Sequence, residues 1–143
     1  MLKKLNLQYL LSYLGLIPFF IIIIDKYFFC IIKEEIALSF LINYILIIFV
    51  FIGAVNWNLK ITIRYHIIIY GFFPSLLATT IIIFNLYYFI KLQILFIIII
   101  LILMQLLFDY LIIYSKDINK NSFYYLRLPL SLMITLLTII ILF

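Results

Sequence analysis

The sequence predicts an all-α integral membrane protein with about five transmembrane helices, forming a single polytopic domain over residues 1–143. Two features of composition and one of arrangement predict this. Of the 143 residues, 70% are hydrophobic and 10% charged, against ~45–50% and ~25% in an average soluble domain. The mean hydropathy is +1.41. The apolar residues also fall in five runs, each approaching the ~20 residues that cross a bilayer, with most of the charged residues at their ends. A chain with so few charges cannot cover its own surface in water. Soluble enzymes, disordered tails and nucleic-acid-binding domains are excluded.

The first predicted span, 7–24, stops at Asp25 and Lys26. Lys3 and Lys4 before an apolar run resemble a signal peptide, but no small-residue cleavage site follows, so the run is read as a retained helix. The second span, 36–57, follows Lys33, Glu34 and Glu35, which are read as a solvated loop. The third, 65–84, follows Lys60 and Arg64, and the fourth, 92–114, follows Lys91. Their boundary is the least sharply marked, because residues 85–90 are still apolar. The fifth, 123–143, follows Lys116, Asp117 and Lys120. Aromatic residues that prefer the membrane interface give a second check. Tyr9, Tyr13, Tyr27, Trp57, Tyr65, Tyr87, Tyr88, Tyr110, Tyr114, Tyr124 and Tyr125 lie at or near these ends, and Tyr44 is the exception.

The net charge of +5 reads as topology rather than as an anionic partner, because the basic residues are scattered. Lys3, Lys4, Lys60, Arg64, Lys116, Lys120 and Arg127 fall on one side; Lys26, Lys33 and Lys91 fall on the other. Seven against three predicts the N-terminus inside and the C-terminus outside. The one cysteine, Cys30, cannot form an internal disulfide.

Two of the three glycines sit in Gly15-Leu16-Ile17-Pro18 and Gly71-Phe72-Phe73-Pro74, 56 residues apart and in spans of the same direction. Proline kinks a membrane helix, and glycine lets a neighbour approach closely. The pair is read either as a parallel repeat of a helix pair or as coincidence.

Four segments, taken in order, carry a resemblance. They are Tyr13-Leu14-Gly15-Leu16-Ile17-Pro18-Phe19; Ser39-Phe40 with Phe51-Ile52-Gly53-Ala54-Val55-Asn56-Trp57-Asn58; Gly71-Phe72-Phe73-Pro74-Ser75-Leu76-Leu77-Ala78; and Tyr125-Leu126-Arg127-Leu128-Pro129-Leu130. The chain resembles the transmembrane protein 69-like family, also catalogued as domain of unknown function 3429. The resemblance covers nearly the whole chain. It implies a small multi-span protein of proteobacterial inner membranes or mitochondria, and no biochemical role. Ala54, Asn56 and Asn58 stand where the family often has glycine, a basic residue and glycine.

Ionisable groups inside spans are functional candidates by default. Asp109 is the main one, four residues after Gln105 and so on the same helical face. Arg127 is its natural cation, with Arg64 and Lys116 behind it. Asp109 reads either as a proton- or substrate-binding carboxylate or as half of a structural ion pair. His66 lacks the further ligands a metal site needs. Ser39 with Asn43, Ser75 with Thr79, and Ser131 with Thr135 and Thr138 form small polar stripes at helical spacing, read as close-packing faces. Asn56, Trp57, Arg64, His66, Asp109 and Arg127 all belong to the inner half, so a site is expected to open to the cytoplasmic or matrix face.

No Ser-His-Asp set, His cluster, phosphate loop or carboxylate pair is present. Neither an enzyme nor a cofactor is expected. The sequence points to a structural or accessory component of an inner membrane, or to a small oligomeric transporter or channel built on Asp109. The partners implied are the lipid bilayer and a membrane protein complex or further copies of the chain, with no nucleic acid.

Overall fold

The computed structural model describes residues 10, 12–55, 65–87, 91–113 and 123–143. The regular elements described are all helical: α1 (Ile17–Ile24), α2 (Glu34–Val55), α3 (Tyr65–Tyr87), α4 (Lys91–Phe108) and α5 (Leu128–Leu142), with π-helical segments at Asp25–Phe29, Asp109–Ile113 and Phe123–Arg127. Five helical stretches are long and apolar enough to cross a membrane: Ser12–Phe29, Glu34–Ala54, Ile68–Leu86, Lys91–Leu111 and Phe123–Leu142.

The ends differ from the predicted ones for physical reasons. The first span does not stop at Asp25 and Lys26, but continues as a π-helix to Phe29. Asp25 is 9% exposed. Its carboxylate accepts hydrogen bonds from the backbone N–H groups of Ile31 at 3.2 Å and Ile32 at 2.9 Å. The charge is thus satisfied by backbone rather than by bulk water. The helix stops at Cys30, whose φ of 51° lies in the left-handed region and whose N–H donates to the Asp25 carbonyl at 2.6 Å. A left-handed residue just past a helix is a common terminator. Glu34 and Glu35, expected in a loop, instead form the first turn of α2, where carboxylates oppose the positive end of the helix dipole. The N–H groups of Ile36 and Ala37 donate to the Lys33 carbonyl at 2.9 and 3.1 Å. α3 runs to Tyr87, three residues past the predicted 84, because nothing in the still-apolar stretch interrupts it.

The two Gly-x-x-Pro segments adopt different local structures. Gly15 and Leu16 form a turn, and Pro18 falls in the first turn of α1, where its missing N–H leaves no bond unmade. Pro74 lies inside a continuous α3. Pro18 therefore follows an interruption of the Ser12–Phe29 stretch at Gly15 and Leu16, whereas α3 is uninterrupted around Pro74.

Packing divides the chain into two compact units, one of Met1–Ala37 with Ile99–Phe143 and the other of Leu38–Ile98. In the first, α1 and α5 run parallel. The Tyr13 hydroxyl donates to the Tyr125 carbonyl at 3.2 Å near one end. At the other end the Lys26 ammonium donates to the Ile141 carbonyl at 2.6 Å and the Tyr27 hydroxyl to the Ile140 carbonyl at 3.3 Å. The last carbonyls of a helix have no partner within it, and a cation there also meets the negative end of the dipole. α5 buries Ser131, Ile134, Thr135, Leu137, Thr138 and Ile141. The Thr135 and Thr138 hydroxyls donate to the Ser131 and Ile134 carbonyls at 2.6 and 2.7 Å, so both threonines are satisfied within the helix.

In the second unit, the close approach is made by Gly53 of α2 against α3. A Cβ built on Gly53 would lie 2.6 Å from Pro74 Cγ and 3.3 Å from the Gly71 carbonyl oxygen. Gly53 thus stands opposite the Gly71–Pro74 segment, whose glycine backbone and proline ring both border this close approach.

Candidate functional site at the Asp109–Arg127 pair

The sequence places Asp109 four residues after Gln105, and both are buried. Asp109 has no exposed surface, and the Arg127 side chain is 11% exposed. The Arg127 Nε–H donates to Asp109 Oδ2. An isolated charge at this depth would be strongly unfavourable, whereas an opposed pair sharing a hydrogen bond is tolerated.

Both partners sit at helix irregularities. Asp109 is the first residue of the π-helical segment that follows α4, and Arg127 is the last of the segment that leads into α5. A π turn takes up more residues than an α turn and so re-aims the side chains around it. Pro129 lies where the π-helical segment passes into α5; having no N–H, it leaves the carbonyl of Tyr125, four residues back, open to the Tyr13 hydroxyl. Phe123 is 2% exposed. Its ring lies 5.5 Å from that of Tyr110 and 5.5 Å from that of Tyr124, the second contact edge-on. These rings bring further packing to the end of the unit that carries the pair, next in sequence to Asp109.

Among the described residues, Arg127 is a cation found on Asp109. Arg64, Asn56, Trp57 and Lys116 lie outside the described residues. His66 falls in the first turn of α3. Among the described residues, no three His, Cys, Asp or Glu side chains converge as metal ligands.

Sequence reasoning assigned Asp25 and Lys26 to a loop, yet they form the polar cluster at the opposite end of the same unit. One signal was available: an Asp-Lys pair followed by Tyr27-Phe28-Phe29-Cys30-Ile31-Ile32. A loop that leaves the membrane is seldom so apolar, and a helix that continues past its charges often is.

Chemically, the Asp109–Arg127 arrangement can do two things. It can join the end of α4 to the start of α5 by a desolvated, directional contact. It can also hold a carboxylate whose counter-ion would have to move before a proton or cation replaced it. Comparison with protein families, with curated proteins and with solved structures finds no match to this chain.

Proposed function

We propose that this protein is a structural or accessory component of an inner membrane, bacterial or mitochondrial, in which the Asp109–Arg127 pair fixes the fourth span to the fifth. The observation that carries this reading is the engagement of a fully buried carboxylate by the nearest arginine in sequence. The resemblance to the transmembrane protein 69-like family supports the location. The seven-to-three distribution of basic residues supports an N-terminus inside and a C-terminus outside. A reporter fused after Phe143 that is active only in the cytoplasm overturns that orientation.

One observation favours a second reading, a small oligomeric transporter or channel. Asp109 begins a π-helical segment, and such backbone irregularities recur at functional sites.

A neutralised pair separates the two. Asp109→Asn with Arg127→Gln removes both charges while keeping hydrogen-bonding groups of similar size. On the structural reading, either single change lowers abundance and the double change restores it, with co-purifying membrane proteins retained after mild-detergent extraction. A double variant that is abundant and folded, but has lost an ion flux that the wild-type protein shows in proteoliposomes, supports the transporter and refutes the structural assignment.

A further inference from the structure

The polar groups that face outward in the middle of spans mostly satisfy themselves. Thr79 and Thr80 are exposed on α3, but their hydroxyls donate to the Ser75 and Leu77 carbonyls, each at 2.8 Å. Asn43 does not follow this pattern. It lies near the midpoint of the Glu34–Ala54 span, is exposed, and its amide makes no hydrogen bond among the described residues. At a rise of ~1.5 Å per residue this puts the amide close to the centre of a ~30 Å hydrocarbon layer. No water is present there to accept from the NH₂ or donate to the oxygen.

The face around Asn43 has a particular spacing. Ile36, Phe40, Asn43, Ile47, Val50 and Ala54 are separated by four, three, four, three and four residues. This is the alternation that keeps one seam of a helix against a partner helix. Ile36, Phe40 and Ile47 are between 47% and 65% exposed. The opposite face, Leu41, Ile42, Ile45, Leu46 and Phe49, is buried within the protein. α2 therefore presents a complete heptad seam outward, apolar except for one amide at its middle.

We propose that this seam of α2 is a self-association surface, and that the occupant is α2 of a second copy of the chain, parallel and related by a two-fold axis along the membrane normal. The chemistry of the amide selects that occupant. Two copies inserted in the same direction bring each seam position opposite itself. An Asn side chain carries both donor and acceptor, so Asn43 of each copy can donate to the other across the axis. A charged side chain opposite itself would repel, and an aliphatic one would leave nothing to pair. A single polar residue within an apolar seam also fixes register. The surface is distinct from the Asp109–Arg127 pair and does not depend on what that pair does.

Cys30 is the only cysteine and is exposed, so the full chain can be labelled there with donor or acceptor dyes. In phosphatidylethanolamine–phosphatidylglycerol vesicles, energy transfer should persist on dilution with lipid until a half-point is reached. Asn43→Leu should move that half-point to about tenfold higher protein density, the loss of two weak interhelical hydrogen bonds. Asn43→Gln should move it much less. In a Cys30→Ser background, single cysteines at Phe40, Asn43 or Ile47 should form oxidant-induced dimers, and cysteines at Leu41 or Ile45 should not. The proposal is overturned by energy transfer no greater than random proximity at every dilution, by an unchanged half-point in Asn43→Leu, or by cross-linking from Leu41 and Ile45 instead. Cross-linking of Asn43→Cys in native membranes to a different polypeptide would equally overturn it. Asn43 is on the surface of the chain, so helical content by circular dichroism should match wild type in each Asn43 variant.

Discussion

Adding a single methyl group at Gly53 tests the packing of the second unit. A Cβ there would meet Pro74 Cγ at 2.6 Å, whereas carbon atoms rest at ~3.5–4.0 Å. The shortfall is roughly 1 Å. Nothing flexible can absorb it, because the obstacle is a proline ring and the next nearest atom not on that ring is the Gly71 carbonyl oxygen. Overpacking of this kind costs ~1–3 kcal/mol. Replacing glycine by alanine inside a helix returns ~1 kcal/mol through propensity. Gly53→Ala should therefore be destabilising by about 1 kcal/mol in the wild-type background. In a Pro74→Ala background the Cγ contact is gone, while the Cβ at 3.2 Å and the Gly71 oxygen at 3.3 Å still have to give by a few tenths of an ångström, which offsets the propensity gain, so the same substitution should be close to neutral. The coupling energy between the two sites should be about 1 kcal/mol. The assay is unfolding by denaturing detergent in mixed micelles, applied to all four members of the cycle. A coupling near zero, or a Gly53→Ala protein more stable than wild type, refutes the close approach of α2 to α3 at this point.

Three further outcomes are expected in the first unit. Lys26→Met keeps the aliphatic stem but deprives the Ile141 carbonyl of its donor; it should lower stability by ~1–2 kcal/mol in the same assay, while Lys26→Arg keeps most of it. Cys30→Gly should raise stability by up to ~1 kcal/mol, because φ of 51° burdens any residue with a Cβ but not glycine. Ser131→Leu should lower it by ~1–3 kcal/mol, since Ser131 is 1% exposed on α5 and the face has no room for two more heavy atoms.

The five spans were legible because the bilayer imposes a length and a composition that few other structures share. The Asp109–Arg127 contact was legible because a buried carboxylate requires a cation, and the burial of Gln105 beside it fits a four-residue spacing on one helix face. The ends of the spans were misread wherever a charge was taken to mark the start of water. Asp25 sits inside a helix because the two N–H groups of Ile31 and Ile32 solvate its carboxylate. Lys26 stays beside it because a carbonyl of α5, more than a hundred residues away in sequence, lies within reach. Such partners come from distant or irregular backbone, and composition windows cannot see them. The two Gly-x-x-Pro segments differ from each other for a related reason. Proline has one meaning in the first turn of a helix and another within it, and what decides is the turn at Gly15, a conformation rather than a residue type. Asn43 shows the converse. In sequence it is one member of a polar stripe with Ser39, and that stripe reads as internal packing. Only the burial of Leu41, Ile42, Ile45 and Leu46 shows that the protein's own interior is on the other side of α2. An amide turned away from that interior, in the middle of a membrane, still requires a hydrogen-bonding partner, and the heptad seam around it supplies the geometry for one.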